Sequence, residues 1–379
     1  MGWRITEALA EVTGWSRSRI GWTVAAVCVY TLLYPLIGII GSALGIGTLI
    51  SAIRDGNTAL DYAFMFPFWL GLVFAVQTGV VFIILDVLRA PFVLASNSRA
   101  GGIGIAHAWV VIAISVAAAV YIPVRSFLDT NTVETVKLTV KIPNLPEGLR
   151  GLKIAHISDL QADRFTDGTL IESYINAANA LEPDIAVFSG DLITSGTGYI
   201  EQGARAIGKI NAKYGVYAVL GDHDYWAGPE SIVQALKKNG VNVAEDKNVY
   251  VKAGAETLLL TLATNIYRKH HDRKKLLTLS NPKPGASIKI FVTHQPSNDI
   301  VELAAQGGYD LFLGGHTHGG QVTFPLPYIK LAISMFETSF ISGPYRLGAM
   351  FININNGLGL TGAPFRYNAP ATVTFIELQ

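Results

Sequence analysis

The chain has 379 residues, of which 50% are hydrophobic and only 15% carry a charge. Charged residues make up about 25% of an ordinary soluble protein, so this composition is too apolar for a purely soluble enzyme. A formal net charge of +1 gives no bulk electrostatic reason to expect a nucleic-acid partner.

The excess hydrophobicity lies almost entirely before residue 125, in the apolar segments 20–51, 63–88 and 103–124. Each exceeds the roughly 20 residues that a helix needs to cross a bilayer. A buried core helix or a cleaved signal peptide does not explain three such segments. The first is too long for one untilted span, and Pro35 with several glycines permits a kink. We therefore expect a transmembrane α-helical anchor over residues 1–125, with three spans, or four as the alternative.

Arginines near the span ends predict the orientation of this anchor. Because cytoplasmic loops carry the excess of basic residues, the side with more arginines is expected to be cytoplasmic. With three spans, that side holds the N-terminus, and the chain after Arg125 is extracytoplasmic; a fourth span inverts the result. The arginines of the N-terminal side are Arg4, Arg17, Arg19, Arg89 and Arg99, against Arg54 and Arg125 on the other.

After residue 125 the pattern becomes that of an α/β protein. Residues 126–150 are predicted to form a linker with an edge strand, TVETVKLTVKI, and residues 151–379 a layered α/β domain. The one cysteine of the sequence, Cys28, lies in the first apolar segment. The α/β domain therefore has no thiolate to serve as a metal ligand or nucleophile. The predicted strands are LKIAHIS, DIAVFSG, GVYAVLG, SIKIFVTH and YDLFLGG, with ETLLLTLAT, AMFINI and ATVTFIEL in a second sheet; the predicted helices are 167–181, 200–213, 229–239 and 297–306.

A candidate metal ligand stands at the end of each of the first five strands. Taken singly, each is explained as a helix cap or a loop residue, but ligand sites lie beyond the carboxyl ends of such strands, so together they predict one site. Carboxylates and imidazoles suit divalent Mn, Mg, Fe or Zn, and a shared carboxylate, Asp191, would hold two cations about 3.5–4 Å apart. The candidates are Asp159, Gln161, Asp191, Asp222, His223, His294, His316 and His318.

The order of SDLQ, SGDLIT, GDHDYW, VTHQP and GGHTHGGQ resembles the calcineurin-like metallophosphoesterase superfamily. The ending NNGLGLTGAPFRYNAP resembles its membrane-associated branch, the YkuE/YaeI-like phosphodiesterases, so the resemblance covers about residues 150–379. It implies a four-layer α/β/β/α sandwich with a dinuclear centre, and His223 as general acid or charge stabiliser, oriented by Asp224. It also implies two metal positions, one formed by Asp159, Gln161, Asp191 and His318, the other by Asp191, Asp222, His294 and His316.

Two positions depart from the family pattern, which has His where this chain has Gln161 and Asn where it has Asp222. An amide oxygen is a harder ligand than imidazole, and a second anionic ligand tightens its own position. We expect two divalent cations with a preference for hard ions such as Mn or Mg over Zn. The alternative is a degenerate site that binds one metal or none.

Two further segments bear on the substrate. The cationic stretch IYRKHHDRKKL, residues 266–276, includes Arg268 and Lys269 as candidate substrate-binding residues for anionic headgroups. The apolar stretch FPLPYIKLAISMF, residues 324–336, is expected to form a core helix, or alternatively to enter the membrane interface or line an acyl groove.

We expect a membrane-anchored phosphoesterase that cleaves phosphodiester or pyrophosphate bonds, with lipid-linked substrates favoured by proximity to the bilayer. A phosphomonoesterase or nucleotidase acting on soluble substrates is one alternative. A non-catalytic metal-binding receptor or scaffold is the other. The sequence gives no indication of the oligomeric state.

Overall fold

The computed structural model of the protein describes residues 1–46, 58–95, 100–266, 273–281, 285–326 and 329–379. The described residues form two compact units, Met1–Phe127 and Leu128–Gln379. Each unit has its own architecture: the first is helical, and the second contains the assigned β-strands.

Among the described residues, the first unit contains the helices α1 (Gly2–Thr13), α2 (Arg17–Thr31), α3 (Leu33–Ala43), α4 (Phe66–Ala95) and α5 (Ala100–Asn131), the last of which continues into the residues of the second unit from Leu128 onward. A short helix, Thr58–Leu60, and a π-helix, Asp61–Met65, directly precede α4. The amphipathic helix α1 follows from apolar residues at helical spacing. Its Ala8 is buried in a small cluster with Phe82, Ala108 and Val111.

Two helical stretches, Thr58–Leu94 and Gly104–Asn131, are long and apolar enough to cross a membrane. They correspond to the predicted segments 63–88 and 103–124. In the first predicted segment, α2 and α3 pass the same test as a pair but are bent by 49°. Pro35 accounts for the bend because it cannot donate to the carbonyl of Thr31 and its ring crowds that carbonyl. The described residues thus contain two candidate spans, or three if the bent pair is one span; residues 47–51 of this segment lie outside the described residues.

Two six-stranded sheets form the centre of the second unit. The first consists of β1 (Val133–Val140), β2 (Lys153–Ile157), β3 (Ile185–Phe188), β4 (Val216–Ala218), β5 (Asn242–Val243) and β14 (Ala371–Leu378), in the order β1-β14-β2-β3-β4-β5. The second consists of β6 (Lys247–Ala253), β7 (Glu256–Leu262), β8 (Ile288–Val292), β9 (Leu311–Gly314), β12 (Gly343–Leu347) and β13 (Met350–Ile354), in the order β12-β13-β9-β8-β7-β6.

The strands that precede the candidate ligands run parallel to their neighbours. Strands β2, β3 and β4 are parallel to one another in the first sheet, as are β8 and β9 in the second. Parallel strands present their carboxyl ends at the same edge of a sheet, and this is where the crevice of an α/β protein lies. Each sheet therefore delivers its ligand-bearing loops to one place.

Helices cover the outer face of each sheet. The first sheet is covered by α6 (Gly168–Asn179), α7 (Ile200–Ile207) and α9 (Pro229–Lys238), and the second by α10 (Arg273–Ser280) and α11 (Asn298–Gln306). A short helix, α8 (Asp222–Ala227), follows β4.

Successive side chains of a strand point to opposite faces of the sheet, which explains how each sheet packs against two layers. In β3, Ile185 and Val187 lie in the core between the two sheets, whereas Ala186 and Phe188 lie in the core under the helices. Both faces of the strand are buried, so it is apolar throughout rather than alternating in polarity. The predicted four-layer α/β/β/α sandwich is confirmed.

The predicted core helix at 324–336 is wrong. Its described residues form a small antiparallel pair, β10 (Phe324–Leu326) with β11 (Ile329–Leu331), followed by a 3-10 turn at Ile333–Phe336. Apolar composition alone does not distinguish a helix from this hairpin, and Pro325 opposes a helix because it lacks a backbone donor. The turn leaves Phe336 93% exposed and Ile333 75% exposed.

Candidate metal centre

The carboxylates of the site come from the first sheet. Asp159, Asp191 and Asp222 follow β2, β3 and β4, and their side chains are buried. Asp159 and Asp191 have left-handed backbones, with φ of 49° and 59°. A non-glycine residue adopts this conformation at a cost of about 1–3 kcal/mol, and such strain is characteristic of functional sites. The turns after the strands thus direct the carboxylates to a common point.

The imidazoles come from the second sheet. His294 follows β8, and His316 and His318 follow β9, with φ of 69° and 50° for the latter two. His294 is completely buried and His318 is 2% exposed. Burial of two imidazoles beside carboxylates is a costly arrangement unless the groups bind one another or a cation.

The two sets of side chains meet at His294. Its Nε2 lies 3.2 Å from Asp191 Oδ2, 3.1 Å from Asp222 Oδ1 and 3.9 Å from Asp159 Oδ1. His316 Nδ1 lies 3.1 Å from Asp222 Oδ1, and His318 Nε2 lies 3.3 Å from Asp159 Oδ1. The predicted carboxylate and histidine ligands are therefore brought together.

The donor set fits divalent cations. His294 Nδ1 lies 2.8 Å from the carbonyl oxygen of Ser189, so this nitrogen carries a proton and Nε2 is the nitrogen that faces the carboxylates. At 3.1–3.2 Å from two carboxylate oxygens, Nε2 needs positive charge beside it, either its own proton or a cation in place of that proton. Two overlapping groups have ligand atoms within 4.8 Å of one another: Asp222, His294 and His316, and Asp159, Asp191 and His294.

The same electrostatics shift the pKa values of the cluster. Burial lowers the pKa of His294, but the charges of Asp191 and Asp159 and the hydrogen bonds outweigh burial and raise it well above its usual value. Burial raises the pKa of Asp222, yet hydrogen bonds from His294 and His316 hold it well below its usual range. Burial likewise opposes protonation of His316, but its bonds to Asp222 and Glu337 raise its pKa to about 9. Asp222 is thus held ionised beside two imidazoles that carry the compensating positive charge, and a bound cation would take the place of their protons.

Two glycines permit the close approach of the ligand loops. A Cβ on Gly315 would lie 1.8 Å from Ser158 Oγ, and one on Gly221 would lie 2.0 Å from Asp191 Oδ1. Both are steric impossibilities for an unshifted side chain. Gly221, which precedes Asp222, and Gly315, which precedes His316, are therefore required by packing.

Gln161 occupies the position where the family pattern has histidine. Its side chain is fully buried, and its Nε2 donates to Asp191 Oδ2 at 2.8 Å. Its Oε1 has no hydrogen-bond partner among the described residues. Gln161 is therefore in the cluster, bonded to the carboxylate predicted to be shared, with an oxygen available to a cation.

His223 lies beside the cluster at the wall of a cavity of about 300 Å³, with Trp226, Ile266, Glu337 and Thr361 as further lining residues. Its Nδ1 donates to the carbonyl oxygen of Thr194 at 2.5 Å, and its Nε2 lies 3.4 Å from Thr361 Oγ1. The ring is thus fixed by one nitrogen, leaving the other to act in the cavity.

Asp224 does not orient His223, contrary to the sequence prediction. Its buried carboxylate accepts from three backbone N–H groups, those of Gly221 at 2.9 Å, Asp191 at 3.0 Å and Leu192 at 2.8 Å. Burial and the charge of Asp191 raise the pKa of Asp224 to about 7, although these backbone bonds oppose the shift. The carbonyl of Thr194 orients His223 instead, and Asp224 connects the Asp191 and Asp222 loops.

Arg268 and Lys269, the predicted substrate-binding residues, lie outside the described residues. The structure adds four residues that sequence reasoning missed: Gln295, Glu337, Thr361 and Arg366. Of these, Gln295 was the easiest to predict from the sequence, because it directly follows His294 in VTHQP. The others are remote in sequence from the ligands they serve, and only the fold brings them near.

Arg366 holds the backbone around His318 through hydrogen bonds to three carbonyl oxygens. It is fully buried, and its guanidinium donates to the carbonyl oxygens of His318 at 3.3 Å, Ala369 at 3.0 Å and Gly359 at 2.6 Å. Its Nη2 also lies 3.4 Å from His318 Nδ1. The C-terminal segment thus fixes the backbone of the last predicted ligand.

A two-sheet α/β domain that gathers carboxylates and imidazoles at its strand ends has the form of a metal-dependent hydrolase. Residues 152–320 match the family model of the calcineurin-like phosphoesterases. Residues 152–320 therefore form a calcineurin-like metallophosphoesterase domain, of the class that hydrolyses phosphoric esters, and the resemblance inferred from the motifs is confirmed.

Two relatives named as metallophosphoesterases are similar to this chain in sequence. The chain is 28% identical over 263 residues to an uncharacterized metallophosphoesterase of Bacillus subtilis, YkuE, covering 67% of this chain and 88% of that protein. It is 28% identical over 260 residues to a Bos taurus transmembrane protein with metallophosphoesterase domain, covering 64% of this chain and 56% of that protein. The solved structure of an archaeal phosphodiesterase is 13% identical with a TM-score of 0.32, covering 54% of this chain and 84% of that one.

Proposed function

We propose that this protein is a membrane-anchored phosphoesterase that hydrolyses phosphodiester or pyrophosphate bonds with two divalent cations. The observation that carries the proposal is the convergence of Asp159, Asp191 and Asp222 on His294 Nε2, within 3.1–3.9 Å. Cations bound there would supply the Lewis acid that polarises a phosphate ester and lowers the pKa of the attacking water.

The proposal divides the ligands between two cation positions in the way that the family motifs imply. Asp191 is the shared carboxylate, since its Oδ2 lies 3.2 Å from His294 Nε2 and accepts from Gln161. Asp159, Gln161 and His318 complete one position, and Asp222, His294 and His316 the other. Oxygen donors predominate in the first position, which favours Mn or Mg over Zn.

His223 is the proposed general acid or charge stabiliser. With Nδ1 held by the carbonyl of Thr194, Nε2 remains available to give a proton to a leaving-group oxygen in the cavity. Thr361 Oγ1, at 3.4 Å, is placed to accept from or donate to the same nitrogen. We assign Asp224 a positioning role only.

A lipid-linked substrate is supported by two features of the chain. The helices Thr58–Leu94 and Gly104–Asn131 are suited to anchoring residues 1–125 in a bilayer, and the Bos taurus relative is named as a transmembrane protein. The 3-10 turn at Ile333–Phe336 exposes Ile333, Met335 and Phe336 directly before Glu337, which lines the cavity. An exposed apolar group beside a phosphoesterase cavity suits an acyl chain or the membrane interface.

The topology is proposed from the arginine distribution: three spans, an N-terminus in the cytoplasm, and residues 151–379 as an extracytoplasmic catalytic domain. Protease added to sealed right-side-out vesicles is expected to cleave this domain. Protection of the domain there, with cleavage after the vesicles are opened, would contradict the orientation.

The central experiment is hydrolysis by the full chain in detergent, assayed with Mn²⁺ on bis-p-nitrophenyl phosphate and on p-nitrophenyl phosphate. A preference for the diester supports the proposal, and a preference for the monoester supports a phosphomonoesterase. No hydrolysis of either ester, or of phosphatidylglycerol in vesicles, would indicate a non-catalytic metal-binding scaffold.

The apolar turn is tested separately. Changing Phe336→Ser should leave hydrolysis of the soluble diester unchanged and lower hydrolysis of phosphatidylglycerol vesicles severalfold. Leu277→Ser is a matched control, because Leu277 is an exposed apolar residue on α10. An equal effect of both changes on the vesicle substrate would remove the support that this turn gives to a lipid-linked substrate.

A further inference from the structure

The site contains a pair of glutamines with the same bonding arrangement. Gln161 Nε2 donates to Asp191 Oδ2 at 2.8 Å, and Gln295 Nε2 donates to Asp222 Oδ1 at 3.2 Å. Both side chains are fully buried. Each glutamine thus serves a different carboxylate of the cluster.

The orientation of both amides is fixed by chemistry. Only an N–H can approach a carboxylate oxygen this closely, so the carbonyl oxygen must occupy the other end of each amide. Neither Oε1 has a hydrogen-bond partner within the described part of the chain. Buried carbonyl oxygens are almost always bonded, and an exception calls for an explanation such as an ion.

A third buried glutamine shows that this arrangement is not general in the fold. Gln321 is 5% exposed, yet its Nε2 donates to the carbonyl of Ala363 at 2.8 Å and its Oε1 accepts from the N–H of Thr361 at 2.8 Å. Among these three buried glutamines, the two whose Oε1 has no partner are therefore the two that contact the carboxylate cluster.

Hydrogen bonds of the main chain fix the backbone at both glutamines and so limit where their side chains can lie. Gln161 N donates to the carbonyl of Asp191 at 3.1 Å, and its own carbonyl accepts from Thr194 Oγ1 at 3.1 Å. The carbonyl of Gln295 accepts from Asn265 Nδ2 at 2.5 Å. Both amides are consequently held beside their carboxylates before any cation binds.

We infer that Gln161 and Gln295 form a matched pair that selects oxygen-preferring cations, each orienting one carboxylate through Nε2 and offering Oε1 to the cation position beside it. Gln295 thereby becomes a specificity-determining residue in the group of Asp222, His294 and His316. A neutral oxygen adds hard-ligand character there without adding charge, which favours Mn²⁺ over Zn²⁺. This inference rests on the metal centre of the proposed function, and on no particular substrate.

The test is calorimetric titration of the chelator-treated full chain in detergent with Mn²⁺ and with Zn²⁺. Gln161→Leu and Gln295→Leu remove both amide ends, and each is expected to weaken Mn²⁺ binding by about 10–100-fold, with a smaller effect on Zn²⁺. Gln306→Leu is the matched control, because Gln306 is exposed at the end of α11; its Mn²⁺ affinity should not change.

Isosteric glutamates separate a cation-directed role from a merely structural one. Gln161→Glu and Gln295→Glu keep an oxygen at this position but lose the N–H donor. Each also places a negative charge beside the carboxylate that the glutamine contacts, Asp191 or Asp222. We expect the metal-free variants to unfold at a lower temperature and to bind Mn²⁺ no more weakly than the unmodified chain. The electron paramagnetic resonance spectrum of bound Mn²⁺ should change in both. Should a leucine variant fail to fold, its glutamate counterpart still tests the sign of the effect.

The inference is overturned if the leucine variants bind Mn²⁺ within twofold of the unmodified chain, or if the glutamate variants bind it as weakly as the leucine variants. Its failure is distinguishable from that of the proposed function. A chain that binds Mn²⁺ through the glutamines but hydrolyses no ester refutes only the function. An active enzyme whose Mn²⁺ affinity is indifferent to both residues refutes only the inference.

Discussion

Replacing Gly315 by alanine tests the steric argument for the metal centre most directly. The new Cβ would lie 1.8 Å from Ser158 Oγ and 2.6 Å from Asp159 Oδ2, whereas an ordinary contact begins at 3.4 Å. The backbone of Gly315 does not require glycine, since its φ is not positive. The expected effect is therefore purely one of space.

The expected loss of stability depends on how far Ser158 must move away from the new Cβ. Ser158 has to shift by about 1.6 Å to restore a 3.4 Å contact, and its hydroxyl then loses its hydrogen bond to Asp159 Oδ2. Overpacking costs about 1–3 kcal/mol, and a hydrogen bond to a charged group contributes about 1.5–3 kcal/mol. We expect Gly315→Ala to lower the free energy of unfolding by about 3–5 kcal/mol. Displacement of Asp159 by about 1 Å should lower kcat/KM about 100-fold.

The assay combines urea unfolding with Mn²⁺-dependent hydrolysis of bis-p-nitrophenyl phosphate. Gly198→Ala is the control: its backbone φ is not positive, and the added Cβ would have no neighbour within 4 Å among the described residues. Ser158→Ala in the Gly315→Ala background should recover part of the lost stability by removing the closest atom. Unchanged stability and activity of Gly315→Ala would refute the packing described for this loop.

Three further predictions concern residues around the ligands. His223→Gln should lower kcat by about 100–10,000-fold with unchanged bound metal, because its ring is fixed by Thr194 and not by the cluster; parallel loss of metal would instead make it a ligand. Asp224→Asn should lower the free energy of unfolding by about 1–3 kcal/mol, measured in urea, because one amide oxygen cannot replace two acceptor oxygens; unchanged stability would contradict its bonding to three backbone N–H groups. Arg366→Lys should cost a similar amount, since a single ammonium cannot reach the carbonyls that both guanidinium nitrogens bind, including that of Gly359; a variant as stable as the unmodified chain would show that these bonds are dispensable.

Much of the fold could be predicted because its physical causes are local. Strands such as Ile185–Phe188 are uniformly apolar because a helix layer lies on one face and a second sheet on the other. That the candidate ligands lie together could also be predicted, because each of them follows the end of such a strand. Pro35 similarly predicted the bend between α2 and α3.

The errors arose where the outcome depends on distant neighbours. Asp224 lies two residues after Asp222, and nothing in GDHDYW indicates which of the two acids accepts from the backbone of Asp191 and Leu192. The partner of His223 is a carbonyl oxygen, that of Thr194, and every residue type has one. The segment 324–336 has helix-like apolar content, but its hairpin is decided by cross-strand pairing that composition does not encode.

The origin of the ligands has a consequence for cooperativity. All three candidate carboxylates are carried by the first sheet and all three candidate imidazoles by the second, so a bound ion would crosslink two halves of the sandwich that are otherwise joined by apolar packing and by hydrogen bonds such as that of Gln295 Nε2 to Asp222 Oδ1. Partial unfolding that separates the sheets also releases the ion, and the binding energy opposes that separation. Metal content should accordingly govern how the halves open, with a loaded domain unfolding in one step and a stripped domain exchanging its inter-sheet amide protons sooner.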